Sequence, residues 1–235
     1  MKEEGVLLAL ETSSQWSSVA LLSGGVPIAE MGVVIKKDHS GPLAGRIERI
    51  LAETGTDVQE VNALVVSRGP GSFTGLRVGV GFAKGFITGT SRRLYAVSTL
   101  ETVAAGVFPS GLPICALLDA KKGEVYAALY EREGERLVAR EGPLASAPES
   151  FLDGLKEPAL FVGDGALAYR NLIERRFGKS AHIAPRSLSL PRASIMGDLV
   201  NSSPDAYVVE DPVTFEPIYM RPPEAVVKWR ATEKG

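Results

Sequence analysis

The 235-residue chain has one cysteine, two histidines and no apolar run of the roughly 18 residues that a membrane helix needs. Cys115 alone forms no intramolecular disulfide and no multi-cysteine zinc or iron–sulfur site, which fits a reducing compartment. With only His39 and His182 there is no His-x-x-x-His pair and no His/Cys cluster, so no metal site is expected. Neither sign of charge dominates: 26 Lys and Arg stand against 28 Asp and Glu. A net charge of −2 provides no global basic field to gather nucleic-acid phosphates. The opening Met1-Lys2-Glu3-Glu4 and the apolar Val6–Leu10 are too acidic and too short for a signal peptide. A cytoplasmic protein with no membrane partner is the expectation.

What is present reads as ordinary globular usage, 45% hydrophobic and 23% charged, with 25 Gly and 15 Pro. Three β-type runs, Val6–Leu10, Ser17–Leu22 and Val26–Val34, come first, and the Gly24-Gly25 pair marks a hairpin. Leu43, Ile47, Ile50 and Leu51 then follow helical spacing up to Gly55, with Arg46, Glu48, Arg49 and Glu53 on the other side. A strand over Asn62–Ser67 leads through a Gly-rich loop into a helix ending near Gly89. Leu94–Val97 follows as a strand, and Ser98 with Glu101 forms the pattern of a capping box. After Pro113 the order partly repeats: strands Ile114–Leu118 and Glu124–Tyr130, a Pro-interrupted segment, strand Leu160–Val162, and helices over about 166–177 and 192–202. The repetition predicts two related α/β lobes, 1–108 and a smaller 109–235, with the terminal segment expected to pack back on the first lobe. The Pro212–Pro223 stretch is extended because its prolines disfavour helix.

The segment Arg68-Gly-Pro-Gly-Ser-Phe-Thr-Gly75 carries the most distinctive chemistry. Glycines at 69, 71 and 75 match neither the dinucleotide fingerprint nor a Walker A loop. Two readings stay open, an anion cradle at a helix start or a structural turn. Thr12-Ser13-Ser14, at the end of the first strand, has the same two readings. In the following helix Gly75, Gly79 and Ala83 recur every four residues, with Gly81 and Gly85 on a neighbouring row. Each interior glycine costs about 1 kcal/mol, so the row implies close packing, on the chain's own sheet or on another subunit. Asp38-His39-Ser40 cannot form a catalytic triad from adjacent residues, and no Gly-x-Ser-x-Gly elbow exists. Lys121 and Lys122 lie at a hairpin turn, and Lys228, Trp229 and Arg230 offer a small stacking surface.

The run Arg68-Gly-Pro-Gly-Ser-Phe-Thr-Gly-Leu-Arg-Val-Gly-Val-Gly81 resembles the signature of the TsaB family, also called YeaZ. Leu8-Ala-Leu-Glu-Thr-Ser-Ser14, Asp38-His39-Ser40, Val97-Ser-Thr-Leu100, Asp119-Ala-Lys-Lys-Gly-Glu-Val-Tyr126 and Glu216-Pro-Ile-Tyr-Met-Arg221 are similar to family landmarks in the same order. The resemblance implies a two-lobed actin/Hsp70-like (ribonuclease H-like) fold. It implies a non-catalytic subunit of the complex that adds threonylcarbamoyl to the tRNA adenosine beside the anticodon. The partners implied are a TsaD-like catalytic subunit and a TsaE-like ATPase, with tRNA reached through the complex and a homodimer in isolation.

The interface is expected on helices 40–54 and 73–89, through Leu43, Ile47, Ile50, Phe73, Gly75, Leu76, Gly79, Val80 and Ala83. Thr12, Ser13, Gly69, Gly71 and Ser72 are the candidate nucleotide or anion groups. No cofactor of its own is expected, with ATP or ADP confined to the complex. The TsaD-like metal motif is absent here, and Glu11-Thr12-Ser13-Ser14 lacks the glycine of an actin-like phosphate loop. The rival readings are a weak nucleotide hydrolase using Thr12 and the 69–75 loop, a glycoprotease-like peptidase, or a direct tRNA binder using Lys121, Lys122 and Lys228.

Overall fold

In the computed structural model residues 5–35, 42–134 and 136–221 are described. The near-continuous apolar run of β1 (Val6–Glu11) is what a central strand buried on both faces requires. It pairs antiparallel with β2 (Trp16–Ser23), which pairs antiparallel with β3 (Val26–Val34). On its other side β1 runs parallel to β4 (Val61–Gly69), and β4 to β5 (Arg93–Ser98), giving the order β3-β2-β1-β4-β5. Leu8 and Leu10 face α1 (Pro42–Thr54) and α2 (Phe73–Ile87), where Ile47, Ile50, Val80 and Ala83 meet them. Leu7 and Ala9 face the opposite layer, where α7 (Ala193–Ser202) contributes Met196 and Val200. Burying a side chain of this size contributes about 1.5–3 kcal/mol.

The second lobe repeats the plan. Strands β6 (Ile114–Lys121), β7 (Glu124–Glu133) and β8 (Arg136–Ser146) form an antiparallel meander, and β9 (Leu160–Val162) and β10 (His182–Ile183) extend β6 in parallel. The order β8-β7-β6-β9-β10 is the first lobe's order over again, so the duplicated, two-lobed α/β architecture expected from the sequence is the observed one. Helices α4 (Pro148–Gly154), α5 (Asp164–Ala168) and α6 (Arg170–Phe177) cover one face; α3 (Thr99–Ala105) covers the other and touches α7, forming the layer between the lobes.

The structure differs from the sequence reading at several elements. The stretch read as a Pro-interrupted connection contains β8, an 11-residue edge strand. The helix over 166–177 is two helices that meet at Tyr169. Ser98 makes no side-chain cap bond, and Glu101 instead accepts from Tyr207 Oη at 2.7 Å. Arg46, assigned to the polar side of α1, is buried and donates to Ser17 Oγ at 2.9 Å. Finally, α7 packs on the first sheet although it lies within the 109–235 segment, and the chain after it returns to the first lobe as expected of the terminal segment.

Candidate functional site

The Gly-rich loop joins β4 to α2 at the carboxyl end of the first sheet. Ser72 caps α2 through its side chain, which accepts from the Gly75 N–H at 3.2 Å, and its own N–H donates to the Ser13 carbonyl at 2.6 Å. Gly71, Gly75 and Gly79 are explained by Thr12 and Ser13. A β-carbon on Gly71 would overlap the Ser13 carbonyl, one on Gly75 the Thr12 carbonyl, and one on Gly79 the Thr12 Oγ1. At Gly69, with φ +102°, a β-carbon would sit 2.8 Å from the Ile218 carbonyl. The every-fourth-residue row therefore lets α2 lie against the β1–β2 turn of its own lobe.

The candidate anion groups are brought together, and their donors are spent on one another. Thr12 N–H points at Ser67 Oγ (3.4 Å), and Ser13 donates from both N–H and Oγ to Glu11 Oε1 at 2.6 and 2.5 Å. The Glu11 carboxyl is fully buried, and burial outweighs its bonds to Ser13 and Ser67 and raises its pKa to about 7. Glu11 Oε2 and Thr12 Oγ1 have no hydrogen-bond partner. The Glu11 carboxyl thus occupies the position where a phosphate-binding turn would present open N–H groups.

The expected interface residues divide. Leu43, Ile47, Ile50, Leu76, Val80 and Ala83 are buried in the first lobe's own core, and Gly75 and Gly79 lie under α2 against Thr12. These positions offer no contact atoms to a second chain, because the apolar stripe of each helix is consumed by its own sheet. The outward side of α2 carries Thr74, Arg77, Gly81 and Gly85, flanked by half-buried Val78, Phe82 and Phe86. Nothing lies within 4 Å of where a β-carbon would be on Gly81, Gly85 or Gly45. Phe73 is half-buried, with its ring centroid 4.8 Å from that of Tyr219.

That contact belongs to a strap, residues 207–221, overlapping the Pro212–Pro223 stretch that sequence reasoning read as extended. Ala96 N–H donates to the Tyr207 carbonyl and Val209 N–H to the Leu94 carbonyl, so the strap starts as an addition beside β5. It then crosses α2, where Lys84 Nζ reaches the Val213 carbonyl at 2.8 Å and Arg77 Nε donates to Tyr219 Oη at 3.1 Å. Ile218 N–H donates to the Arg68 carbonyl at 2.7 Å. At its end Arg221 donates to the Ala120 carbonyl at 2.9 Å and pairs with Glu124, tying the strap to the β6–β7 hairpin of the second lobe.

In that hairpin Lys121 and Lys122 both adopt left-handed backbone, φ 62° and 55°, and Lys121 Nζ is paired with Asp119 at 2.6 Å. His182 lies on β10, whereas His39, Lys228, Trp229 and Arg230 lie outside the described residues. Among the described residues no three His, Cys, Asp or Glu side chains form a metal cluster, and no helix is long and apolar enough to cross a membrane.

Comparison with known proteins adds a family to this geometry. The family model described as TsaD, tRNA N6-adenosine threonylcarbamoyltransferase, matches residues 18–229. A tRNA threonylcarbamoyladenosine biosynthesis protein TsaB from Bacillus subtilis is 32% identical over 97% of this chain and 99% of its own. Its namesake from Haemophilus influenzae is 32% identical over 92% and 93%. The solved structure of YeaZ from Pseudomonas aeruginosa superposes with a TM-score of 0.77 at 28% identity, covering 92% of this chain and 99% of that one. Agreement of this extent in sequence and in three dimensions, spanning the Gly-rich loop and both lobes, makes the chain a member of the TsaB family.

Proposed function

We propose that this protein acts in tRNA threonylcarbamoyladenosine biosynthesis as a non-catalytic scaffold that binds a TsaD-like transferase subunit. The names of the relatives carry the pathway, and the internal spending of the Gly-rich loop carries the absence of chemistry. Ser72 N–H, Thr12 N–H and Ser13 N–H all face acceptors of this chain, and the buried Glu11 carboxyl takes up the Ser13 donors at the same spot. The protein therefore uses no nucleotide cofactor of its own, and ATP or ADP belongs to the assembled complex, where a TsaE-like ATPase joins and tRNA is reached indirectly.

The docking face is the outward side of α2 with the neighbouring surface of α1. Gly81 and Gly85 permit close helix approach, while Phe82 and Phe86, whose ring centroids lie 5.8 Å apart, supply a half-exposed aromatic pair. In isolation the same face pairs with a second copy of the chain. Reconstitution is the test: threonylcarbamoyl transfer to unmodified tRNA by TsaD-like and TsaE-like proteins, with and without this chain. Transfer that requires the chain, with no turnover of ATP or peptide by the chain alone, upholds the scaffold reading. Transfer indifferent to it, or turnover by the isolated chain, overturns it.

A further inference from the structure

The two sheets have four edges, and three of them are blunted. The strap adds to β5 through Tyr207 and Val209, β10 is two residues long, and β8 carries Arg136, Arg140 and Glu141, with Arg140 paired to Glu131 and Glu133. Covering, shortening and charge are the usual means of keeping a sheet edge from pairing with another chain. The fourth edge, β3, is interrupted at its start by Pro27 and by a shift in pairing at Ile28, and from Ala29 to Val34 it has none of these devices. Among the described residues no strand pairs with its outer side. Of the eight large apolar side chains that stand exposed among those residues, four belong to it: Val26, Ile28, Val33 and Val34.

The strand's one charge does not guard this edge. Glu30 accepts from Arg192 Nε at 3.0 Å and from Ser194 Oγ at 2.7 Å, so its carboxylate is neutralised on the α7 side, while Ala29 and Met31 face the α1 layer. Facing residues of an antiparallel pair lie on the same side of the sheet, so a strand that meets a copy of itself about a two-fold axis sets one residue opposite itself. Centring on Glu30 would bring two carboxylates face to face, and centring on Gly32 would shorten the pair to Glu30–Val34. Centring on Met31 sets Glu30 against Gly32, Ala29 against Val33 and Ile28 against Val34. In that register every exposed apolar residue from Ile28 onward meets another apolar residue, and no like charges face one another.

We propose that β3 is a self-association edge, to which a second copy of this chain adds its own β3 antiparallel, centred on Met31, joining the two five-stranded first-lobe sheets into one. The contact is small, so association is weak, with Kd of about 10–100 µM. Sedimentation equilibrium of the whole chain up to about 200 µM tests it. Val33→Lys combined with Val34→Lys should halve the mass reached, with circular dichroism unchanged, since both side chains are exposed in the single chain. Ala29→Cys combined with Val33→Cys should give a disulfide-linked dimer on mild oxidation, whereas either cysteine alone should not, because each faces the other position across the two-fold axis; the native Cys115 is buried. A mass unchanged by the lysines, or cross-linking of a single-cysteine variant as complete as that of the double, would overturn the proposal. A monomeric parent whose co-purification with a TsaD-like partner is lost in the lysine variant would assign the edge to that partner and overturn it as well. The mass and cross-linking readouts involve neither α2 nor the transferase complex, so the scaffold reading stands or falls separately.

Discussion

Gly79 lies directly against Thr12, with no room for a β-carbon between the helix and the Thr12 Oγ1. One turn earlier Gly75 stands in the same relation to the Thr12 carbonyl. The glycine row that suits a subunit contact by spacing is thereby assigned to the inside of the lobe.

Gly75→Ala and Gly79→Ala should each lower stability by about 1–3 kcal/mol, since the obstruction at Gly75 is backbone and at Gly79 a buried threonine. Urea denaturation reads this directly. An unchanged midpoint for both would show that the β1–β2 turn yields freely.

The neighbouring row should behave in the opposite sense. Gly81→Ala and Gly85→Ala have open space and ordinary helical backbone, so each should raise stability by about 0.5–1 kcal/mol. Gly81→Glu and Gly85→Glu should leave the fold intact and abolish co-purification with a TsaD-like partner; retained complex formation by both would remove α2 from the docking face.

Glu11 makes stability depend on pH. Its folded pKa, about 7, lies above the ordinary 4.5, so the folded state holds a proton that the unfolded state has released. This contribution is fully present below about pH 4.5 and is lost as pH rises through about 7, an amount of about 3 kcal/mol from the width of the shift. Glu11→Gln keeps an acceptor for Ser13 and should flatten this slope, leaving the variant more stable than the parent above about pH 7. Parallel pH profiles for parent and variant would contradict the assignment.

The strap predicts coupling between lobes. Arg221→Ala should speed amide exchange in the 119–124 hairpin, and a double-mutant cycle with Glu124→Gln should return about 0.5–1 kcal/mol for this partly exposed pair. Additive effects would mean that the strap is held without the Arg221–Glu124 pair.

Much of the framework was legible before any coordinates. The bounds of β3 and the existence of α1, α2 and α7 follow from apolar periodicity, and the repeated order of strands announced the second lobe. β8 escaped notice because an exposed edge strand bearing Arg136, Arg140, Glu141 and Pro143 shows no buried alternation, and β10 is only two residues long. At the site, the sequence brought attention to the right loop and the right helix, yet it could not say which row of small residues faces inward.

The sequence by itself determined the fold class, the family and the lack of histidine and cysteine clusters, because periodicity and residue type are local properties of the chain. The tertiary structure decided that Thr12 fills the space over Gly79, that Glu11 takes up the Ser13 donors, and that Arg221 reaches across to Glu124. Each of these joins elements whose relative rotation is fixed only when the sheet, α2 and the strap pack together, since helical spacing states which residues share a face and only packing states what that face meets.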